Sequence, residues 1–219
     1  MHTTIKNLLN IELKVKQKIQ ENNFNQIPKI IAVSKTFSIE HINPLIEYGH
    51  THFGENKVQE ALGKWVDIKK KNKNIKLHLI GKLQSNKVKL AVKIFDYIHS
   101  LDNEKLARKI SECQDIEKRQ LKIFIQVNIG NEHQKSGVSE NNLESFYEYC
   151  KKLNLNIIGL MCIPPFNEDS SKYFKKMTDL NNKLNLKEIS MGMSSDYLNA
   201  IEYGSTFVRI GSSIFGERS

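Results

Sequence analysis

The sequence predicts an α/β protein built as a single (β/α)8 barrel over residues 1–219, with an extra helix at its N-terminus. Two observations lead to this prediction. Eight apolar runs of strand length alternate with segments of helical period from one end of the chain to the other. The 219 residues contain no Pro/Gly/Ser-rich linker, no internal repeat and no low-complexity block, and their number approaches the ~250 residues of a typical barrel.

Each element is placed by its own pattern. Apolar residues at helical spacing predict a first helix between Ile5 and Ile19, and the branched run at 30–33 predicts the first strand. The other strands are predicted at residues 50–55, 77–81, 97–101, 123–129, 157–163, 188–193 and 207–211. The helices between them are predicted at residues 39–48, 58–68, 88–94, 103–116, 142–153, 170–184 and 195–203. Because parallel strands need a crossover, this alternation indicates parallel pairing, and Asp102 or Asn103 is expected to cap the helix that follows it.

An open doubly wound sheet is the alternative for the same alternation of elements. It is not favoured, because no GxGxxG motif follows the first strand.

The composition argues against several classes of protein. No apolar run approaches the ~20 residues that cross a bilayer, and Lys and Glu interrupt the apolar positions of the first 20 residues. Neither a membrane span nor a secretory signal is expected. The cysteines Cys113, Cys150 and Cys162 are widely spaced without a CxxC pair, so neither a disulfide framework nor a metal site is expected.

The formal charge of +9, from 33 Lys+Arg against 24 Asp+Glu, raises the question of a nucleic-acid partner. The excess lysine is spread along the chain, with one concentration at residues 69–76 near Trp65. Such a run is usually a solvated helix end or loop. An RNA-binding or scaffold role is therefore kept as a disfavoured alternative, which needs a contiguous basic face with stacking aromatic residues.

In a parallel barrel the reactive groups gather at the C-terminal ends of the strands, and these ends are unusually polar in this sequence. The first apolar run ends in Ser34 and Lys35. A lysine in this place is partly desolvated, which favours the neutral amine and allows a Schiff base with an aldehyde. Taken alone, the pattern also fits a lysine that extends to the exposed end of the strand.

The segments after the seventh and eighth predicted strands suit a phosphate group. Ser194 and Ser195 lie between the seventh strand and the next helix, and Gly211 with Ser212 forms a second turn after the eighth strand. Backbone N–H groups at a helix N-terminus bind phosphate dianions, and phosphate sites recur at this place in barrels. The alternative is that the two serines only cap a helix.

Lys35, the two serine turns and Arg209 on the eighth strand together predict a site for a phosphorylated aldehyde. Pyridoxal 5'-phosphate (PLP) fits this description. The lysine can take its aldehyde, the turns can take its phosphate, and the arginine can lie beside its pyridine nitrogen.

Five motifs resemble, in their order along the chain, those of the pyridoxal phosphate homeostasis protein family. The motifs are Ala32-Val33-Ser34-Lys35, Phe53-Gly54-Glu55-Asn56 with Gln59-Glu60, His78-Leu79-Ile80-Gly81 with Leu83-Gln84-Ser85-Asn86-Lys87, Met191-Gly192-Met193-Ser194 with Asp196, and Val208-Arg209-Ile210-Gly211 with Ile214-Phe215-Gly216. The resemblance runs from residue 32 to residue 218 and so covers nearly the whole chain. It implies a barrel like the N-terminal domain of alanine racemase, with fold type III binding of PLP.

The resemblance also assigns residues to the cofactor, position by position. It implies that Lys35 holds PLP as an aldimine and that Arg209 lies near the ring nitrogen. The phosphate ligands would be Ser194, Ser195, Gly211 and Ser212. Asn56 and Met193 would line the ring.

The resemblance implies a cytoplasmic protein that binds and buffers PLP and hands it to apo-enzymes, without robust catalysis. An arginine at the ring nitrogen disfavours a protonated pyridinium and so weakens the electron sink that carbanion chemistry needs. No segment follows the eighth unit to provide the C-terminal β-domain that supplies alanine racemase with its tyrosine, so a holder is expected. A weak PLP-dependent amino-acid racemase or lyase is the alternative, and a monomer is expected.

Some polar residues are left without a committed role. Lys135, in the loop after the fifth strand, is interpreted as a solvated lysine, with an accessory contact to the cofactor or a receiving enzyme as the alternative. His50, His52 and His78 are interpreted as structural residues, because their spacing does not bring any pair together.

Overall fold

Parallel strands close into a barrel in which neighbours follow chain order. The computed structural model describes residues 1–132 and 134–217, and within them eight strands form this closed barrel. The strands are β1 (Lys29–Val33), β2 (His52–Glu55), β3 (Lys76–Leu79), β4 (Tyr97–Leu101), β5 (Lys122–Gln126), β6 (Ile157–Met161), β7 (Glu188–Met193) and β8 (Phe207–Ile210). Because β1 pairs with both β2 and β8, the sheet has closed on itself, and the open-sheet alternative is wrong.

Helices follow the strands, as the periodicity predicts. They are α1 (Thr3–Glu21), α2 (Ile39–Glu47), α3 (Val58–Lys71), α4 (Val88–Ile94), α5 (Glu104–Glu117), α6 (Glu140–Lys152), α7 (Ser171–Lys183), α8 (Tyr197–Glu202) and α9 (Ser212–Phe215). The expected cap of α5 is confirmed at Asn103, whose Oδ1 accepts a hydrogen bond of 2.9 Å from the N–H of Leu106. The four-residue helix α9 is absent from the prediction, because its segment is too short to show a helical period.

Apolar side chains pack in two layers. The outer layer lies between the strands and the helices and includes Leu8, Trp65, Phe95 and Phe174, all fully buried. The inner layer fills the barrel and consists of Ile31, Val33, Tyr97, Phe124, Met161 and Phe207. Because side chains alternate between the two faces of a strand, a strand such as β1 or β5 contributes to both layers.

The fifth strand is shorter than predicted. Its pattern predicts residues 123–129, but the strand ends at Gln126. Beyond it, the N–H of Asn128 donates to the carbonyl oxygen of Val138 at 3.0 Å, and the N–H of Val138 donates to that of Gln126 at 2.8 Å. The apolar residues after Gln126 therefore form a loop that folds back on the strand end, which periodicity alone does not reveal.

The N-terminal helix α1 packs against the last part of the chain. Asn7 donates to the carbonyl oxygen of Ile214 in α9 at 3.0 Å, and Lys18 forms an ion pair with Glu202 at the end of α8. The extra helix is thus tied to the elements that follow β7 and β8. Of the helices in the described ranges, none has both the length and the apolar character needed to cross a membrane. Cys113, Cys150 and Cys162 are buried as free thiols.

Candidate functional site

A cavity of about 810 Å³ opens at the C-terminal ends of the strands. Its lining contains all the residues that the sequence assigns to the cofactor, namely Lys35, Asn56, Met193, Ser194, Ser195, Arg209, Gly211 and Ser212. These residues come from β1, β2, β7 and β8 or from the segments that follow them. The barrel therefore brings together an amine, a buried guanidinium and a group of serine hydroxyls.

Lys35 lies in a tight turn directly after β1. The turn continues into Thr36, whose φ of 69° is in the left-handed region that β-branched residues rarely adopt. The N–H of Thr36 donates to Glu60 Oε1 at 2.6 Å, and its hydroxyl donates to the carbonyl oxygen of Lys35 at 2.5 Å. Backbone strain of this kind persists only where surrounding contacts hold it, so Glu60 on α3 helps to fix the position of Lys35.

A buried carboxylate supports the same turn. Glu55 Oε1 accepts hydrogen bonds from Ser34 Oγ at 2.7 Å, from Lys64 Nζ at 3.0 Å and from Trp65 Nε1 at 2.9 Å. Burial raises the pKa of Glu55, and the hydrogen bond from Trp65 and the charge of Lys64 oppose this shift. Glu55 has no predicted role, although an acidic residue that ends a buried strand is a usable signal.

The segments after β7 and β8 meet through one hydroxyl. Ser194 Oγ accepts from the N–H of Gly211 at 3.3 Å and from the N–H of Ser213 at 3.4 Å. Ser194 thereby joins the end of β7 to the start of α9, where Ser212 also lines the cavity. Ser195 does not begin the next helix as predicted, because α8 starts at Tyr197.

The last part of β7 requires glycine at position 192. Gly192 has a φ of 89°, and a Cβ there would lie 2.6 Å from the Ala200 Cβ and 2.9 Å from the Tyr197 Cα. The N–H of Met193 is held by Asp196 Oδ1 at 2.7 Å. These contacts press the end of β7 against α8 and place Met193 on the cavity wall.

Arg209 is a buried cation in this cavity, with 4% of its surface exposed. Its Nη1 donates to Ser190 Oγ at 2.8 Å, and its Nη2 donates to the carbonyl oxygen of Cys162 at 2.9 Å. Burial lowers the pKa of Arg209 from its ordinary value. Within the described residues its hydrogen-bond acceptors are neutral oxygens, so its charge is available to a group in the cavity.

Asn56 is packed closely by the segment after β3. A Cβ on Gly81 would lie 2.4 Å from the carbonyl oxygen of Asn56, so only glycine allows this approach. Both residues line the cavity together with Met193. The positions expected beside a ring therefore line the same cavity.

Lys135 does not lie in solvent as the sequence interpretation expects. Its amine pairs with Glu132 Oε2 at 2.5 Å and donates to the carbonyl oxygen of Pro164 at 3.3 Å, and the residue lines the cavity. Gln126 and Asn128 line the same side and were also missed. Their signal is the polar residues that interrupt the apolar run after residue 125.

The interpretation that no pair of histidines meets is wrong. His52 Nδ1 lies 2.9 Å from His78 Nε2, and His78 Nδ1 lies 2.9 Å from His99 Nε2. His50 donates from Nε2 to the carbonyl oxygen of His52 at 2.9 Å. His52, His78 and His99 belong to the neighbouring strands β2, β3 and β4, and histidine at inward-facing strand positions was the signal for their contact.

The lysine-rich segment gives no support to an RNA-binding face. Trp65 is fully buried, so its ring cannot stack on a base. Lys69 Nζ pairs with Asp96 Oδ2 at 2.5 Å rather than extending into solvent.

Comparison with known proteins gives three kinds of match. The sequence model of the family described as "Alanine racemase, N-terminal domain" matches residues 14–219. The pyridoxal phosphate homeostasis protein of Aquifex aeolicus (strain VF5) is 40% identical over 206 residues, which cover 87% of this chain and 87% of that protein. The solved structure of PipY from Synechococcus elongatus PCC7942, with PLP bound, has a TM-score of 0.81 and 32% identity, and the match covers 92% of this chain and 100% of that chain.

A more distant match concerns the fold alone. The alanine racemase of Clostridium difficile 630 has a TM-score of 0.72 at 15% identity, and the match covers 99% of this chain and 57% of that chain. Its likeness confirms the predicted barrel architecture.

Proposed function

Because this chain belongs to the family of pyridoxal phosphate homeostasis proteins, we propose that it binds PLP in the mouth of the barrel and acts in the intracellular homeostasis of that cofactor. One observation carries the proposal. The amine after β1, the serine turns after β7 and β8, and the guanidinium on β8 line the same cavity.

The donors present fit the chemistry of the cofactor. Its phosphate is a dianion, which suits the hydroxyls and backbone N–H groups around Ser194, Ser195, Gly211 and Ser212. Its pyridine nitrogen is an acceptor, and Arg209 is a donor that stays protonated. Its aldehyde needs a primary amine, which Lys35 supplies.

When bound, the cofactor would supply an aldehyde that condenses reversibly with a primary amine, with loss of water. The protein's own residues decide where this happens. Glu60 holds the strained turn at Thr36 and so fixes the place from which Lys35 extends. Asn56 and Met193 would lie against the ring, and Ser194 keeps the two phosphate-binding segments together.

We further propose a carrier rather than an enzyme. Arg209 is a permanent cation, so it would hold the ring nitrogen as an acceptor and disfavour its protonation. Within the described residues the cavity lining contains no tyrosine that could serve as a second acid or base. A chiral assay of alanine and serine with the loaded protein should accordingly detect no turnover, and measurable racemisation would contradict this part of the proposal.

The proposed role implies a cytoplasmic protein that transfers PLP to apo-enzymes and acts as a monomer. Such transfer should appear as recovery of activity when loaded protein is mixed with an apo-enzyme that lacks its PLP. A single species of the monomer mass in size-exclusion chromatography is expected before and after loading.

The central experiment is a spectrum of the protein incubated with PLP. The loaded protein should be yellow and, after borohydride reduction, mass spectrometry should find a pyridoxyl group on Lys35. Lys35→Ala should lose the absorption band and the adduct. Lys89→Ala, at an exposed position on α4 outside the cavity, is the matched control and should keep both. A colourless wild-type protein, or an adduct on another lysine, would refute the proposal.

A further inference from the structure

A chain of hydrogen bonds crosses the inside of the barrel and ends at the cavity. It starts at His52 on β2 and passes to His78 on β3 and then to His99 on β4, with N–N distances of 2.9 Å at both steps. From His99 Nδ1 it continues to Ser190 Oγ on β7 at 2.9 Å. Ser190 Oγ in turn receives the Nη1–H of Arg209 at 2.8 Å. The proposed cofactor site is therefore connected to groups deep in the barrel.

The direction of every hydrogen bond in this chain follows from Arg209. A guanidinium can only donate, so Ser190 Oγ is the acceptor from Arg209. The hydroxyl of Ser190 then donates its own hydrogen to His99 Nδ1, which is its other hydrogen-bond neighbour among the described residues. His99 must carry its proton on Nε2 and donate to His78 Nδ1, and His78 must likewise donate from Nε2 to His52 Nδ1.

This order requires imidazoles that are neutral. His78 and His99 are fully buried, and burial lowers the pKa of both well below the ordinary value; the charge of Arg209 adds to this shift for His99. A neutral imidazole has one donor and one acceptor, so each ring can take part in the chain at both of its nitrogens.

The rings are also held in place by stacking. His78 stacks on Tyr97 with centroids 4.2 Å apart, and His99 stacks on Phe124 with centroids 4.3 Å apart. Because the strands fix the rings, the position of Ser190 Oγ between His99 and Arg209 is defined by the barrel interior. A long arginine side chain without such a contact would lose much of its order.

We propose that Ser190 and His99 are positioning residues of the cofactor site, which hold the Arg209 guanidinium in one orientation through a one-directional chain of hydrogen bonds. The inference rests on the proposed function, because the group that Arg209 would meet is the ring of PLP. In this proposal, buried histidines that do not themselves line the cavity help to position Arg209.

The order of donors and acceptors in this chain of hydrogen bonds can be tested without cofactor. Long-range ¹H–¹⁵N NMR spectra of the cofactor-free protein report which nitrogen of each histidine carries the proton. We expect His78 and His99 in the Nε2–H form at neutral pH. An Nδ1–H form or a doubly protonated ring at His99 would overturn the proposed order.

The positioning role is tested with a matched pair of variants. His99→Leu removes the acceptor for Ser190, whereas Oδ1 of His99→Asn can still accept at the place of Nδ1. Losing a hydrogen bond that orders a charged group changes an equilibrium constant or a rate constant about tenfold. His99→Leu should release PLP about tenfold faster and shift its absorption band, and His99→Asn should stay within about twofold of wild type.

Ser190→Ala is the second variant, because it deletes only a hydroxyl and should leave the fold intact. It should release PLP as fast as His99→Leu. Wild-type behaviour of both variants would refute the positioning role. If wild-type protein binds no PLP, the proposed function fails instead, and the NMR measurement still decides the order of the chain.

Discussion

Thr36 shows how a single residue prepares the site. Its left-handed backbone, with φ at 69°, is unfavourable for a β-branched side chain and is held by Glu60 and by its own hydroxyl. The adjacent Lys35 consequently leaves the strand at a defined angle rather than continuing β1. Strain beside the lysine proposed to meet the cofactor is therefore part of how the site is organised.

Glu55 is the residue on which the base of this turn depends. Oε1 accepts from Ser34, Lys64 and Trp65, and Lys64 is only 10% exposed. Glu55→Leu would leave the buried indole N–H of Trp65 without its acceptor, whereas Lys64 would keep the Ser34 carbonyl oxygen and Glu60 Oε1, so we expect a loss of about 2 kcal/mol in the free energy of unfolding. Glu55→Gln keeps an acceptor oxygen and should lose about 1 kcal/mol. Urea unfolding measures both, and equal stability of the two variants would contradict this account.

His52 should make the stability of the protein dependent on pH. Burial, together with neighbouring cations, lowers the pKa of its imidazole from 6.5 to about 4. The neighbours that add to this effect are His50, Lys29, Lys76 and Lys122. The unfolded chain therefore takes up a proton first as the pH falls below 6.5, so stability is full above this pH and is lost progressively down to about pH 4.

At pH 5 the titration of His52 lowers the free energy of unfolding by about 2 kcal/mol relative to neutral pH. His52→Asn keeps an acceptor for His78 but does not titrate, so its unfolding free energy should fall less between pH 7.5 and pH 5. His41→Asn, at an exposed position on α2, is the control and should keep the wild-type slope. Equal slopes for His52→Asn and wild type would show that His52 does not titrate as described.

At the scale of elements, the short helix α9 depends on its neighbours. A helix of four residues has too few internal hydrogen bonds to be stable alone, and α9 is held by Ser194 at one end and by Asn7 of α1 at the other. The N-terminal helix thus supports the segment that carries Ser212 to the cavity.

Removing this support should weaken phosphate binding without touching the cavity. Asn7→Ala deletes the hydrogen bond to the carbonyl oxygen of Ile214, so we expect about 1 kcal/mol less stability and an affinity for PLP that is several-fold lower. Asn10→Ala, at an exposed position of the same helix, is the matched control and should bind like wild type. Spectroscopic titration measures the affinities. If Asn7→Ala binds PLP as tightly as wild type, α1 does not support the site.

For the molecule as a whole, the lysines that give the charge of +9 are spread along the chain. Ion pairs such as Lys183–Glu144, Lys176–Glu140 and Lys18–Glu202 connect neighbouring elements. Pairs of this exposure contribute little to stability, typically about 0 to 1 kcal/mol each. The lysine content alone is therefore a poor guide to the partner, which the cavity indicates better.

Closure of the barrel also determines which polar groups meet inside it. Ser190 and His99 are 91 positions apart in sequence, and Arg209 lies 47 positions from the Cys162 carbonyl that it binds. Their contacts depend on the register of strands that are distant along the chain. The same closure places β1 beside β8 and so brings Lys35 into one cavity with Gly211 and Ser212.

The sequence by itself determined the order of strands and helices and the polar residues at their ends, because hydrophobic periodicity is local and a parallel barrel collects strand ends on one face. On this basis it predicted that Lys35, Arg209 and the serine turns lie at the same end of the barrel, and they line one cavity there. Only the tertiary structure decided that the histidines form a chain, that Glu55 supports the lysine turn and that Lys135 lines the cavity. These are contacts between side chains that are distant in sequence, and they exist only once the barrel has closed with a particular register.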